Sequence, residues 1–306
     1  MAASGSTPLR VLVSGASGFI GAELCRQLEA DGHTVLKLVR RTPTAANEFF
    51  WSPAKHEVDA AAIESADAVI NLSGASTGKI PWTSRYKREI LYSRVNATTT
   101  LAEAIGRATN PPTILLNSSA VGFYGDQPGV LLDESGAKGE GFLSDVVDAW
   151  EKAAHLAPTQ TRVVTFRTGL VVGQGGAFTP LTLLTRFGLG ARIGSGHQNW
   201  PWISLHDEAA AIRHLLTSNL TGVVNVAGPT PATAQEVTRA LAAALGRWHL
   251  LVVPTFALRV LGDAGNDLLL TSEAVVPAAL LADGFTFRDT TVTQAIDVAF
   301  SERAKA

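Results

Sequence analysis

The sequence holds one cysteine, Cys25, one methionine and three tyrosines in 306 residues. A single thiol cannot form an internal disulfide, which excludes the disulfide scaffolds of secreted domains and any zinc site built from cysteines. Charge is also scarce: charged residues make up 17%, and the formal net charge is −2. Such a balance offers no basic field for a polyanion, so no nucleic-acid partner is expected. Long hydrophobic runs are missing too. The best candidate, Leu268 to Leu281, is interrupted by Glu273 and Pro277 and falls short of the roughly 20 apolar residues that a membrane span needs. The first nine residues, MAASGSTPL, contain neither the apolar core of a signal peptide nor the arginines of a transit peptide. The expectation is a cytoplasmic protein without a membrane partner. Seven histidines are scattered without metal-ligand spacing, so no metal is expected. No GxSxG elbow occurs, because Ser17 lies in GASG, and a serine hydrolase is excluded at its motif.

What is present is apolar residues, at 46%, and 28 glycines. That composition buries a sizeable core, and the length allows one to three domains. From Arg10 to Arg167, short apolar runs alternate with stretches of helical spacing. Strands are expected at Arg10–Ser14, Thr34–Val39, Asp67–Leu72, Thr113–Asn117 and Arg162–Arg167. Helices are expected at Ala22–Asp31, Ser93–Ala108 and Leu143–Leu156. Strand–helix alternation of this kind implies βαβ units and a parallel sheet covered on both faces. After Gly173 the rhythm changes to glycines and tryptophans. A helix near His206, a strand at Val223–Ala227 and a helix at Thr233–Gly246, opened by a Thr233/Glu236 capping box, follow. The expected division is a main domain, residues 1–174 and 202–228, and a smaller lobe, residues 175–201 and 229–306.

Three glycines stand out. Gly15, Gly18 and Gly21 directly follow the first strand and directly precede the first helix. A turn that tight needs glycine backbones, and a pyrophosphate approaching the helix amides needs the side chains out of the way. The spacing GxxGxxG, unlike GxGxxG, leans away from the usual dehydrogenase fingerprint. Binders of NAD carry an acid about 20 residues further on for the ribose 2′-hydroxyl. Arg40 and Arg41 stand there instead, and guanidinium groups pair with a 2′-phosphate. NADP(H) is the expected cofactor; the alternative is that the two arginines only begin an exposed loop.

With GxxGxxG opening the first βα turn, the chain resembles the extended short-chain dehydrogenase/reductase superfamily. Further motifs narrow this: DAVINLSG at Asp67–Gly74, Pro81-Trp82, Lys87, Ser93-Arg94, Ser119 to Gly122 with Tyr124-Gly125, Trp150-Glu151, Arg167 to Leu170 and Trp202-Ile203. Together they resemble the atypical, NAD-dependent epimerase/dehydratase-like family whose C-terminal segment is a domain of unknown function, here Pro254 to Phe287. The resemblance implies a Rossmann-type, doubly wound parallel sheet with a smaller C-terminal substrate lobe. It places Gly15, Ser17, Gly18, Phe19 and Ile20 along the pyrophosphate and Arg40 at the adenosine ribose phosphate. Leu72, Ser73 and Gly74 would border the nicotinamide ribose, with Ser118 also among the cofactor contacts. Ser119 falls where the superfamily keeps its catalytic serine or threonine.

One element of the pattern is absent. Reductases of this superfamily use a Tyr-x-x-x-Lys pair on the next helix, the lysine and cofactor lowering the tyrosine pKa. Aligned on Glu151, those places hold Leu143 and Val147, or their neighbours Phe142 and Val146, none of which ionises. Tyr124 is the substitute candidate for proton transfer, with Ser119 orienting the substrate oxygen; the alternative is a packing role. Lys87 is a candidate acid or anion ligand, or else part of a solvated helix face. Trp200 and Trp202 are candidates for a pocket wall, or else for the core. The expected function is that of an oxidoreductase or epimerase acting by hydride transfer on a small hydroxyl- or carbonyl-bearing molecule without the usual acid/base pair. The alternative is a non-catalytic module that senses NADPH.

Overall fold

A computed structural model describes residues 7–301. Its centre is an eight-stranded sheet. The strands are β1 (Arg10–Ser14), β2 (Thr34–Val39), β3 (Glu48–Ser52), β4 (Glu57–Val58), β5 (Ala68–Asn71), β6 (Ile114–Ala120), β7 (Arg162–Thr168) and β8 (Gly222–Val226). Their spatial order is β8-β7-β6-β5-β1-β2-β3-β4, every neighbouring pair parallel except β3 and β4. The chain builds outward from β1 on one side through β2 and β3, then crosses to β5 on the other. That reversal leaves a crevice at the carboxyl ends of β1 and β5, where open α/β sheets bind ligands.

Alternation along the strands explains why both faces are covered. Val11 and Val13 point to one side and Leu12 to the other, all with no exposed surface. On the first side, Val11 and Val13 pack with Leu24 and Leu28 of α1 (Phe19–Ala30) and with Ile212 and Leu215 of α4 (Leu205–Thr217). On the second, Leu12 packs with Ala97, Leu101 and Ile105 of α2 (Ser84–Arg107), beside which lies α3 (Phe142–Ala154).

Two elements differ from the sequence reading. Helix α2 starts at Ser84, not Ser93, with Thr83 as N-cap. Its charged opening turns look solvated in sequence, yet Tyr86 and Ile90 bury against Trp82, Val146 and Ala264. Strands β3 and β4 carry no alternation long enough to be read, since only Trp51 is buried among their residues.

Beyond β7 the chain leaves the sheet. Leu170–Val172 pairs with Trp202–Ser204, and Ala191–Ile193 pairs with Leu251–Val253. Phe178, Trp200, Trp202 and Ile193 form a second core with α5 (Ala234–Ala244) and α6 (Val292–Ser301). Thr233 and Glu236 form the capping box at the start of α5. The C-terminal segment does not stay within this lobe: Leu280, Phe285 and Phe287 return to the sheet's core beside α4. It also clasps the loop after β6. Ala274–Val275 pairs with Leu131–Leu132, and Glu134 Oε1 accepts the N–H groups of Asn225 and Ala279 at 3.0 and 3.1 Å. Among the described residues no helix is long and apolar enough to cross a membrane.

Candidate functional site

The turn after β1 is built as its glycines demand. Gly15 has φ +73°, and its carbonyl accepts the Gly18 N–H at 2.9 Å. A Cβ on Gly15 would lie 2.9 Å from the Leu72 carbonyl oxygen, and one on Gly21 would collide with the carbonyl oxygen of Gly15. Helix α1 thus starts hard against β1. Gly18 is its N-cap, and no side chain caps it, which leaves the first-turn amides for an anion. Ser17 and Gly18 are exposed, and the Phe19 ring lies against Gly173 and Gly175.

Gly15 meets Leu72 because β1 and β5 are neighbours. There Ser73 Oγ donates to Ser14 Oγ at 3.0 Å, and Gly74 abuts the Arg94 side chain. Arg94 Nη1 donates to the carbonyls of Ala75 and Ile90, both at 3.0 Å, and its guanidinium lies 5.1 Å from the Trp150 ring centre. Desolvation there lowers its pKa to about 10.

A buried polar seam, absent from the sequence reading, runs under these strand ends. Ser14 Oγ donates to Asn71 Oδ1 at 2.6 Å, and Asn71 Nδ2 donates to Asn117 Oδ1 at 2.7 Å and Thr98 Oγ1 at 3.1 Å. Trp150 Nε1 donates to Thr98 Oγ1 at 2.9 Å. Buried polar groups left unpaired are costly, so this seam fixes β1, β5, β6, α2 and α3 in one register. The sequence signal was an asparagine closing each of two apolar runs, AVIN and ILLN.

The two arginines at the end of β2 separate. Arg41 is held by Glu48, Nη1 to Oε2 at 2.9 Å and Nη2 to Oε1 at 2.5 Å, and this hydrogen bonding lowers the Glu48 pKa to about 2. Arg40 is exposed and makes no such pair among the described residues.

The residues at the end of β6 face different surroundings. Ser118 and Ser119 are both buried and alternate across the sheet. Ser119 Oγ donates to Glu151 Oε1 at 2.6 Å, and Glu151 takes a bidentate pair from Arg167, Nε and Nη2 each at 2.8 Å. The Arg167 guanidinium stacks 3.5 Å from the Phe123 ring centre. Tyr124 has no exposed surface. Its Oη lies 2.7 Å from Asn225 Oδ1 and 2.9 Å from the Asp133 carbonyl oxygen, and burial raises its pKa. The hydroxyl is engaged inside the protein.

Helix α3 contains no tyrosine; Phe142, Leu143, Val146 and Val147 stand in its first two turns. Lys87 is paired with Asp263 and lies 5.0 Å from the Phe142 ring centre. Trp200 and Trp202 lie in the second core; Trp202 Nε1 donates to the Thr230 carbonyl at 2.8 Å, while Trp200 Nε1 has no acceptor among the described residues.

Two buried acids were not singled out as site candidates in sequence. Glu208 of α4 has no exposed surface; Thr168 Oγ1 donates to its Oε1 at 2.7 Å, its Oε2 has no partner among the described residues, and burial lifts its pKa to about 8. Glu273 is 6% exposed. Its signal was the lone carboxyl inside the apolar run from Leu268 to Leu281.

A doubly wound parallel sheet, with its glycine turn and uncapped helix at the switch point, defines a Rossmann protein of the short-chain dehydrogenase/reductase type. Residues 11–227 match the NAD dependent epimerase/dehydratase family, and residues 253–298 match DUF1731, a domain of unknown function. The chain belongs to the NAD dependent epimerase/dehydratase family. An epimerase family protein of Mycobacterium leprae is 39% identical over 295 residues, 94% of this chain and 95% of that protein. The crystal structure of human epimerase family protein SDR39U1 (isoform 2) with NADPH has a TM-score of 0.87 at 33% identity, covering 95% of this chain and 99% of that one. The nucleoside-diphosphate sugar epimerase of Corynebacterium glutamicum has a TM-score of 0.78 at 29% identity, covering 98% of this chain and 60% of that one.

Proposed function

We propose that this protein binds NADP(H) at the β1/β5 crevice and acts as an oxidoreductase on a small hydroxyl- or carbonyl-bearing substrate. The observation that carries the cofactor choice is the division of labour at the end of β2. Arg41 is spent on Glu48, which occupies the nearby carboxylate, and Arg40 is exposed. The human relative crystallised with NADPH supports the same choice. Gly15, Ser17, Gly18, Phe19 and Ile20 hold the pyrophosphate against the start of α1, while Arg40 meets the 2′-phosphate. Leu72, Ser73, Gly74 and Ser118 border the nicotinamide end. Bound NADPH supplies a hydride; the protein orients the substrate and manages one proton.

Fluorescence titration with NADPH and NADH tests the cofactor choice. A charge-assisted bond is worth about 1.5–3 kcal/mol, so Arg40→Ala weakens NADPH binding roughly 10- to 100-fold and leaves NADH unchanged. Equal affinity of the wild-type protein for the two cofactors refutes it.

A non-catalytic NADPH sensor is favoured by two observations: α3 carries no tyrosine, and Ser119 is bound to Glu151. Turnover of NADPH against a panel of small aldehydes and ketones separates the two. Oxidation of the cofactor with any of them removes the sensor reading.

A further inference from the structure

Most of the exposed large apolar side chains among the described residues lie in two short stretches, 183–189 and 248–261. Trp248 is 82% exposed, Phe187 and Phe256 are each 75%, Leu250 is 76% and Val260 83%. The two stretches adjoin. Leu251 N–H donates to the Gly190 carbonyl at 3.4 Å, and a Cβ on Gly190 would lie 2.8 Å from the Trp248 carbonyl oxygen. From there the strand Leu251–Val253 runs through Pro254 into the helix Thr255–Arg259, which carries Phe256. An aromatic side chain offers about 150–250 Å² and a leucine or valine roughly 60–120 Å², so at these exposures the face presents on the order of 800 Å². That exceeds the largest apolar patch of a typical monomer, about 300–600 Å². It matches the roughly 800 Å² that each partner gives to a standard interface.

The strand in this face also has an open edge. The Leu251 N–H and the Val253 carbonyl both bond toward the neighbouring strand, Val253 accepting the Gly194 N–H at 2.9 Å. Successive residues of a strand direct their backbone groups to opposite edges, so the N–H and C=O of Val252 point outward. No third strand joins this pair among the described residues. We propose that this face joins two copies of the chain, the two Leu251–Val253 strands pairing antiparallel about a two-fold axis at Val252. Each Val252 N–H then donates to the other copy's Val252 carbonyl. Trp248 of each copy comes level with the start of the other's Thr255–Arg259 helix. The contact uses the same patch on both copies and closes at two. It also keeps like charges apart. Arg247 precedes Val252 by five residues, so the two Arg247 groups stand about ten residues of extended chain apart, on the order of 30 Å. Charge is screened over about 8 Å. An anionic bilayer would meet the same apolar side chains and the exposed Arg186, Arg247 and Arg259, but it has no strand to offer Val252 and leaves those backbone groups unpaired.

Sedimentation velocity of the full chain, from low to high micromolar concentration, tests the pairing. A monomer–dimer equilibrium is expected, unchanged or strengthened at high salt. Val252→Pro removes the outward N–H without breaking a bond inside one copy, and Leu250→Lys charges the open edge. Each raises the dimer Kd roughly 10-fold or more while the far-ultraviolet circular dichroism stays that of the wild type. Tyr92→Lys, which charges an exposed apolar side chain of α2, leaves the dimer intact. A chain that stays monomeric at every concentration overturns the proposal, as does a dimer that survives Val252→Pro or Leu250→Lys, or one lost in Tyr92→Lys instead. A monomer that pellets with phosphatidylglycerol vesicles and is released by salt assigns the face to lipid and overturns it as well.

Discussion

Glu208→Gln makes the protein more stable, by an amount that depends on pH. Glu208 is fully buried with one hydrogen bond, from Thr168, and burial moves its pKa from 4.5 to about 8. The folded state therefore binds the proton more tightly than the unfolded state does. The stability contributed by this protonated carboxyl is fully present below pH 4.5, declines as pH rises, and is lost above about pH 8. One pH unit corresponds to about 1.4 kcal/mol, so wild-type folding is disfavoured by roughly 3 kcal/mol at pH 7 and roughly 5 kcal/mol above pH 8. Glutamine copies the neutral acid: its Oε1 accepts from Thr168, and its amide replaces an oxygen that has no partner among the described residues. The variant and the wild type should match near pH 4.5 and diverge upward. Urea unfolding at pH 5, 6, 7 and 8 measures the difference, and other titrating groups, Glu273 included, cancel between the two proteins. Parallel stability curves with a constant offset refute a proton held on Glu208.

Glu151→Gln strands the buried Arg167 guanidinium and should cost about 3–5 kcal/mol in unfolding free energy; a loss under about 1 kcal/mol would show that the pair is not a structural anchor. Tyr124→Phe deprives Asn225 Oδ1 of its donor, which should cost about 1–3 kcal/mol and leave NADPH titration unaltered. Weakened cofactor binding in that variant would place the hydroxyl in the site after all.

The glycine turn was legible in the sequence because its requirements are local. Strand, glycine spacing and helix follow one another within 21 residues, and the backbone geometry they demand is the geometry found. Partners distant in sequence were not legible. Ser119 and Tyr124 were correctly located at the end of β6, but their hydroxyls are directed by Glu151, 32 residues on, and Asn225, 101 residues on. Arg40 and Arg41 look equivalent until β3, itself unread, delivers Glu48 to one of them. Periodicity also misjudged the start of α2, since charged residues conceal opening turns whose buried face is confined to Tyr86 and Ile90. The seam of asparagines and Glu273 were written plainly as polar residues in apolar runs. Only tertiary packing distinguishes such residues from exposed ones.

The clasp of the C-terminal segment on the loop after β6 has a meaning for the order in which the chain is made. When β7 leaves the ribosome it is a bare sheet edge, because β8 lies more than fifty residues downstream. The strand Leu131–Leu132 meets its partner only once Val275 has been synthesised, and Glu134 gains its second backbone donor only with Ala279. The nascent protein can therefore assemble its glycine turn early, while the loop after β6 stays unclasped until Ala279 has been made. A chain released before then carries a dinucleotide fold with that loop unfastened.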